Sequence, residues 1–464
     1  MIEVKRSFVL LRILAIFLAL AVSCRPSLKG VKDTSSLSDT ITPTPTSTTG
    51  TPIDPTTWAF TDGSGANGIN KDTSKAANYP VLTSFNSKLY AAWYEYDAAV
   101  KSQIRISVYN GNDSAPGWSM VDGNGANGIN KNNAQYAYYP QLVSFNSKLY
   151  ITWNEYNGSK QQIRASVYNG NDSAPTWTLV DGNGVNGINK DSTQDATDPQ
   201  PGVFSSKLYL TWKEFNGGTN GQIRMVVYNG DDSSPTWTFV DGNGVNGINK
   251  DSTKDAQFPE VTVFNSKLYC TWVEDNGTTN QIRMAVYNGN DSSPTWTFVD
   301  GNGVNGVNHN VLKLANMPHF SVLNSKLYAN WREFGTSVSQ MRVAVYNGND
   351  GAPSWTFIDG NGLDGLNYDT TKSAFVSQLT VHSGVLYLVW LEINAASNYQ
   401  VRLSAYNGND SFPSWSIKDG NGVNGLNKNT ANAAGTVRAS SFNNKLHVIW
   451  DEGGPAQIME DSAH

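Results

Sequence analysis

The sequence is poor in the residues that build metal centres, disulfide frameworks and nucleic-acid surfaces. Only two of its 464 residues are cysteines, Cys24 and Cys270, and only five are histidines. The histidines lack the spacing of a metal site, and two cysteines cannot form a disulfide scaffold. Charged residues make up 16% of the chain, and its formal net charge is −6. Lys and Arg do not cluster, so nucleic acid is not expected as a partner. We also expect no cofactor and no metal ion.

Helical periodicity is missing after the first 25 residues. Glycine is abundant instead, with 42 copies, and aromatic residues reach 11%, including 14 tryptophans. This composition is typical of short strands joined by many turns.

The amino-terminal segment has the pattern of a secretory signal. Basic residues at Lys5, Arg6 and Arg12 precede an apolar run over 13–22, which is short for a membrane-spanning helix. A membrane anchor that starts at Phe8 remains the alternative. The sequence LAVSC over 20–24 resembles the lipobox of bacterial lipoproteins, although Ala21 stands where Leu is commoner. The resemblance implies a signal peptide over residues 1–23 and an acylated Cys24. The protein would then be anchored by lipid to the bacterial cell envelope, at the outer membrane or cell surface.

Residues 25–57 are rich in Ser, Thr and Pro and have no apolar periodicity. Such a segment cannot bury enough surface to fold. We therefore expect a disordered tether over 24–57 that holds a folded domain off the membrane.

From Trp58 onward, one unit recurs seven times. The Asp of a DGxG element marks each copy at intervals of 59 or 60 residues: Asp62, Asp122, Asp181, Asp241, Asp300, Asp359 and Asp419. A period of this length without helical patterning indicates a propeller blade. In the fourth copy we predict strands at 259–264, 267–274, 281–287 and 295–299, separated by Asn-, Gly- and Ser-rich turns.

The chain begins with a fourth strand near Trp58 and ends with three strands that lack a fourth. Joining these pieces closes the ring. The sequence thus predicts an all-β fold over 58–464, a seven-bladed propeller of four-stranded antiparallel blades.

The turn before the outer tryptophan resembles the Asp box of sialidase-type (BNR) propellers, in which an Asp precedes an aromatic residue by five positions. Six copies keep this spacing, from Asp113–Trp118 to Asp410–Trp415. The match is partial, because Gly replaces the usual Ser before the Asp, as at Gly170 and Gly289. The resemblance implies the propeller architecture and a structural Asp on the face away from an active site.

The repeats do not single out any residue as catalytic. A sialidase needs three arginines on one carboxylate, whereas the repeat arginines occur once per blade, as at Arg283. We expect each to form a cross-strand ion pair with the Glu of a Trp-x-Glu motif, such as Glu274. Because the seven glutamates share one environment, none is singled out for acid–base work. The DGNG loops miss the calcium-loop register by one residue, which leaves only weak calcium binding open.

Two loop segments vary between copies and share one face. At one equivalent position there, just before the innermost strand, the copies carry Tyr79, Tyr139, Asp198, Phe258 and Met317. Aromatic residues suit sugar rings and protein ligands. The sequence therefore favours a non-enzymatic, membrane-anchored surface binding protein, lectin-like or adhesive, with a glycan or protein ligand at these five residues. A degenerate or active sialidase-like glycoside hydrolase and a periplasmic envelope scaffold are the alternatives, and enzymatic activity stays open.

Overall fold

The computed structural model describes residues 57–463, apart from residues 64–67, 124, 126, 183, 243, 245, 302, 336, 361–363 and 421. Cys24, the signal peptide and nearly all of the tether lie outside the described residues, so these assignments stay predictions. The described residues contain no α-helix, and their only helical elements are three-residue 3-10 turns such as Gly303–Asn305. No apolar helix of the length needed to cross a bilayer occurs among them.

Seven antiparallel sheets of four strands each form the propeller, which confirms the predicted fold class. The innermost strands are β2 (Ala77–Phe85), β6 (Ala137–Phe145), β10 (Ala196–Phe204), β14 (Ala256–Phe264), β18 (Ala315–Leu323), β22 (Ala374–His382) and β26 (Ala434–Phe442). The second strands are β3 (Lys88–Tyr96), β7 (Lys148–Tyr156), β11 (Lys207–Phe215), β15 (Lys267–Asp275), β19 (Lys326–Phe334), β23 (Val385–Ile393) and β27 (Lys445–Glu452).

The two outer strands of each blade complete the sheets. The third strands are β4 (Ser102–Tyr109), β8 (Gln161–Tyr168), β12 (Gly221–Tyr228), β16 (Asn280–Tyr287), β20 (Ser339–Tyr346), β24 (Tyr399–Tyr406) and β28 (Gln457–Ala463). The outermost strands are β5 (Trp118–Met120), β9 (Trp177–Leu179), β13 (Trp237–Phe239), β17 (Trp296–Phe298), β21 (Trp355–Phe357), β25 (Trp415–Ile417) and, for the seventh blade, β1 (Trp58–Phe60).

The innermost strands begin three residues earlier than the sequence predicts. In the fourth blade, β14 starts at Ala256 and continues past Pro259 through a register shift between Gln257 and Glu260. Proline lacks the N–H that a regular ladder needs, which is why the sequence indicates a strand boundary there. A bulge leaves one residue unpaired and accommodates the proline.

Tryptophan packing between neighbouring blades forms the core. The seven second-strand tryptophans, including Trp272, are fully buried. Trp272 belongs to one apolar cluster with Ile223 and Val240 of the preceding blade and with Cys270. Both faces of each sheet are therefore covered, as the apolar residues on both sides of the second strand predict. Cys270 is a free, buried thiol in this cluster.

The first strand closes the ring. Trp58 pairs with Ala463 in an antiparallel ladder between β1 and β28, so the predicted amino-terminal closure is confirmed. The Trp58 Nε1–H donates to the Lys418 carbonyl of the sixth blade at 2.8 Å. The Asp62 carboxylate lies 2.7 Å from Lys428 Nζ, which adds an ion pair across the junction.

The predicted cross-strand Glu–Arg ion pair is wrong. The ladder places Arg283 opposite Trp272 and places Glu274 opposite Gln281, so the two charged groups are not paired neighbours. Arg283 instead contacts Asp300 of the DGxG loop at 3.1 Å, with both side chains buried. Glu274 accepts hydrogen bonds from Trp272 Nε1 and from two loop N–H groups. Every repeat arginine from Arg105 to Arg402 forms the equivalent pair.

Adjacent blades are joined on the opposite face through the Asp-box-like aspartates. Asp291 accepts hydrogen bonds from Tyr287 of its own blade and from Tyr209 of the preceding blade, both at 2.9 Å. Lys207 of the preceding blade completes the contact. Partial burial alone would raise the pKa of Asp291, but these hydrogen bonds and the Lys207 charge hold it below its usual value. The aspartate thus has a structural, inter-blade role.

Candidate active site

The bulged ends of the innermost strands lie at the same end of the ring as the variable loops. In the first blade, Ala77 pairs with Glu95 near the end of β3, and Tyr96 pairs with Ser102 across the variable loop. Because the other blades repeat this register, residues that differ between copies at these strand ends meet around one end of the ring axis.

The five residues predicted as a binding surface all lie at this bulge, but they do not form an open platform. Tyr79, Asp198, Phe258 and Met317 are at most 5% exposed, and Tyr139 is half-buried. All five adopt φ between 54° and 58°, a left-handed conformation that is unusual for such side chains. Strain of about 1–3 kcal/mol per residue persists only where the surroundings impose it, and it is common at functional sites.

Only three of these five residues lie together. The rings of Tyr79 and Tyr139 meet edge to face, with centroids 4.8 Å apart. Burial raises the pKa of Tyr139, and the neighbouring charges of Tyr79 and Asp198 raise it further. Phe258 and Met317 pack into separate apolar clusters of other blades. The structure therefore groups Tyr79, Tyr139 and Asp198 across the first three blades.

Asp451 completes this group from the seventh blade. Its side chain is buried, and burial raises its pKa to about 7, although hydrogen bonds from Thr436 and the Tyr79 backbone act in the opposite direction. Gly435 faces the carboxylate so closely that a Cβ atom there would overlap Asp451 Oδ2. A glycine at position 435 is thus required to seat this carboxyl group beside the first blade.

The resulting arc consists of Asp451, Tyr79, Tyr139 and Asp198, in that order around the axis. Oδ1 of Asp451 and Oδ1 of Asp198 are buried and have no hydrogen-bond partner in the part of the chain that the structure describes. Buried carboxylate oxygens normally have partners, and exceptions mark places where water or a ligand binds. The arc therefore holds two carboxyl groups, one with its proton retained up to near-neutral pH, on either side of a tyrosine pair.

A second set of non-repeated polar residues lies deeper on the innermost strands. The equivalent positions carry Val81, Gln141, Gln200, Glu260, His319, Gln378 and Arg438, all at most 2% exposed. Glu260 Oε2 lies 3.1 Å from His319 Nδ1 of the next blade. Gln378 exchanges two hydrogen bonds with the Ala439 backbone of the next blade. These contacts tie the innermost strands to one another.

The sequence interpretation missed Asp451 and Glu260. Asp451 stands where the sister copies carry Tyr94, Asn154, Lys213, Val273, Arg332 and Leu391. Aligning the seven copies and searching for departures at inner-strand positions would have identified both carboxylates. Among the described residues, no group of three or more metal-binding side chains occurs.

Comparison with known proteins finds only a distant structural likeness. No family model matches the sequence, and no curated protein matches it. Among solved structures, a polysaccharide lyase, Uly1, matches with 10% identity and a TM-score of 0.49 over 82% of this chain and 88% of that one. The α-L-arabinanase of Penicillium chrysogenum matches with 16% identity and a TM-score of 0.42, over 71% and 93%.

A sialidase of Trypanosoma rangeli also matches, with 10% identity and a TM-score of 0.42 over 76% of this chain. The chain spans about half the length of the sialidase, 56%. The expectation of a non-enzymatic surface binding protein is contradicted, because several solved structures that match are glycoside hydrolases and another is a polysaccharide lyase. The alternative of a sialidase-like hydrolase agrees with them better. At these identities and TM-scores the likeness concerns the fold alone, and the seven blades are established by the sheets of this chain itself.

Proposed function

We propose that the protein is a carbohydrate-processing enzyme that hydrolyses glycosidic bonds at the arc of Asp451, Tyr79, Tyr139 and Asp198. The observation that carries the proposal is the pair of non-repeated, buried carboxyl groups on either side of two contacting tyrosines. Glycoside hydrolysis uses a carboxyl group that keeps its proton together with a second carboxyl group.

The environment of Asp451 assigns it the role of the acid. Asp451, with its pKa raised to about 7 by burial, keeps its proton at mildly acidic pH and donates it to the departing glycosidic oxygen. Asp198 accepts a proton from the attacking water through Oδ1. The C–O bond to the leaving sugar breaks as the water oxygen bonds to the anomeric carbon, so the products are two sugars with new hydroxyl groups. The two tyrosines lie between the carboxyl groups and contact the bound sugar.

Incubating the folded domain with a panel of aryl glycosides, oligosaccharides and soluble polysaccharides tests this function, with reducing ends as the readout. We expect turnover that falls by about 100-fold or more in Asp451→Asn and in Asp198→Asn. Asp291→Asn, on the opposite face, is the matched control and should retain activity. Absence of turnover across the panel, or products with unsaturated ends, would overturn the hydrolytic mechanism.

We further propose that Cys24 carries a lipid that anchors the enzyme to the bacterial envelope, with residues 24–57 as the tether. The signal-like segment before Cys24 supports this proposal. Expression in a bacterium with detergent phase partitioning tests it. The intact protein should enter the detergent phase, whereas Cys24→Ala should remain in the aqueous phase. Equal partitioning of both would show that Cys24 is not the anchor.

A further inference from the structure

Seven tyrosines form a continuous cluster on the first two blades, which we call the tyrosine track: Tyr79, Tyr94, Tyr96, Tyr136, Tyr138, Tyr139 and Tyr156. Starting from Tyr79 in the arc, ring centroids lie 5.5 Å apart to Tyr94 and then 5.1 Å apart to Tyr138. Tyr138 stacks with Tyr136 at 6.1 Å, and Tyr136 contacts Tyr156 at 6.4 Å. Each ring thus touches the next.

The track leads from the buried arc to the surface. Tyr79 and Tyr94 are at most 5% exposed, whereas Tyr136, Tyr138 and Tyr156 are half-buried. Polar groups border the outer end, because Lys101 Nζ lies 3.9 Å from the centroid of the Tyr136 ring. Gln161 Nε2 also donates to the Tyr156 hydroxyl at 3.3 Å. The exposed end is therefore amphipathic.

Other blades do not repeat the track. At the position of Tyr138 the other copies carry Asn78, Thr197, Gln257, Asn316, Phe375 and Gly435, and at the position of Tyr136 they carry Ala76, Asp195, Asp255, Leu314, Ser373 and Ala433. A blade therefore folds without a tyrosine at either position. The tyrosines must be explained by something other than the repeat.

Unsatisfied polar atoms lie beside the track in the second blade. Asn154 is the ladder partner of Tyr138, and Gln141 is the ladder partner of Thr152. All three of these polar side chains are at most 2% exposed, and Asn154 Oδ1, Gln141 Oε1 and Thr152 Oγ1 have no hydrogen-bond partner within the described residues. Buried amide and hydroxyl groups without protein partners are places where ordered water binds, so the second blade is polar beneath the track.

We propose that the tyrosine track binds a polysaccharide chain, so that the enzyme acts on long glycans whose remaining sugars lie across the second blade. This inference rests on the proposed function, since it extends from the same arc. Sugar rings stack their C–H faces on aromatic rings while their hydroxyls pair with polar groups at the ring edges, and the track offers both features. A purely apolar ligand would leave these polar groups without partners.

The test separates chain binding from catalysis. In an Asp198→Asn background, which stops turnover, affinity electrophoresis in gels of soluble arabinan, xylan or polygalacturonate measures binding. We expect Tyr136→Ala with Tyr156→Ala to weaken retention by about tenfold, from the loss of two stacking rings. Tyr136→Phe should retain binding because it keeps the ring. Phe215→Ala, at the position in the third blade that corresponds to Tyr156, is the matched control.

Measurement of enzymatic turnover is the second part of the test. With Asp198 intact, the double tyrosine variant should lose activity on polysaccharide through a raised KM while keeping activity on short aryl glycosides. If wild-type protein binds polysaccharide through the track yet hydrolyses nothing, the inference stands and the proposed function fails. If turnover is present but the double variant binds and cleaves long chains like wild type, the inference is overturned. Absence of retention in all three gels also overturns it.

Discussion

Replacing Arg283 with Met should destabilise the protein much less than the same replacement at Arg342. Each arginine forms a buried ion pair with the Asp of its DGxG loop, at 3.1 Å in both cases. The two sites differ in whether a lysine also contacts the aspartate. Asp300 also contacts Lys250 Nζ at 3.1 Å, so it keeps one cation when Arg283 is removed.

The seventh blade already shows this arrangement in the native protein. Met459 stands opposite Trp450, where the other blades carry the arginine, and Asp62 forms an ion pair with Lys428 at 2.7 Å. A methionine therefore fits the site when the lysine is present. Arg283→Met should cost about 1–2 kcal/mol, the loss of hydrogen bonds to a group that remains partnered.

Asp359 lacks the lysine. His309 occupies the corresponding position, and burial together with the Arg342 charge lowers the pKa of His309, so it is neutral at pH 7. Arg342→Met removes the permanent cation that contacts Asp359 at 3.1 Å and leaves, at the lysine position, His309, whose pKa burial lowers; this should cost about 3–5 kcal/mol. Urea unfolding at pH 7, followed by tryptophan fluorescence, measures both variants. Equal losses, or a larger loss for Arg283→Met, would refute this reasoning. Arg283→Met combined with Lys250→Met should match Arg342→Met.

Three further outcomes follow from the contacts. Asp172→Asn should reduce the loss of thermal stability on acidification. Hydrogen bonds from Lys88 and the tyrosines lower the pKa of Asp172 in the folded protein. The ionised Asp172 carboxylate therefore stabilises the fold above pH 3.8, and this stabilisation is lost as the pH falls through the pKa of the folded state. If the melting temperature of Asp172→Asn falls with pH over pH 2–5 as steeply as that of the wild-type protein, this reasoning is contradicted. For Asp451, burial raises the pKa to about 7, so stability falls as pH rises from 3.8 to about 7, and Asp451→Asn should remove this decline in a melting series. Trp58→Ala should lower the melting temperature and increase protease cleavage near residue 60, since it removes the hydrogen bond to Lys418; unchanged cleavage would show that the first strand does not depend on this contact.

The architecture could be predicted because several independent features of the repeat indicate the same fold. The period, the paired tryptophans and the unmatched chain ends each depend on local patterns that survive in a single sequence. The strand ladders then follow the pattern to within three residues, and the error at Ala256 arises because Pro259 is tolerated at a bulge.

The ion pairs and the arc could not be derived in the same way. Sequence spacing placed Glu274 and Arg283 on one hairpin, where they are diagonal neighbours, but it did not show that Trp272 and two loop N–H groups bind the Glu274 carboxylate. The actual partner of Arg283, Asp300, is 17 residues away in a loop. The contact between Asp451 and Tyr79 joins opposite ends of the chain, so its existence depends on ring closure rather than on local pattern.

Near-identical copies could pair an outer strand with the wrong blade during folding, and contacts in the closing blade disfavour such pairing. In the fourth blade Val299 donates its N–H to the Met284 carbonyl, and both side chains are apolar and buried. At the corresponding place in the closing blade Thr61 donates its hydroxyl to Glu460, which is also held by His447 at 2.7 Å. An outer strand borrowed from one of the first four blades would set a valine against this buried carboxylate, and Thr61 would lie against an apolar side chain in the other blades. These wrong pairings leave a polar group unsatisfied, so the contact between Thr61 and Glu460 favours closure of the ring by the first strand.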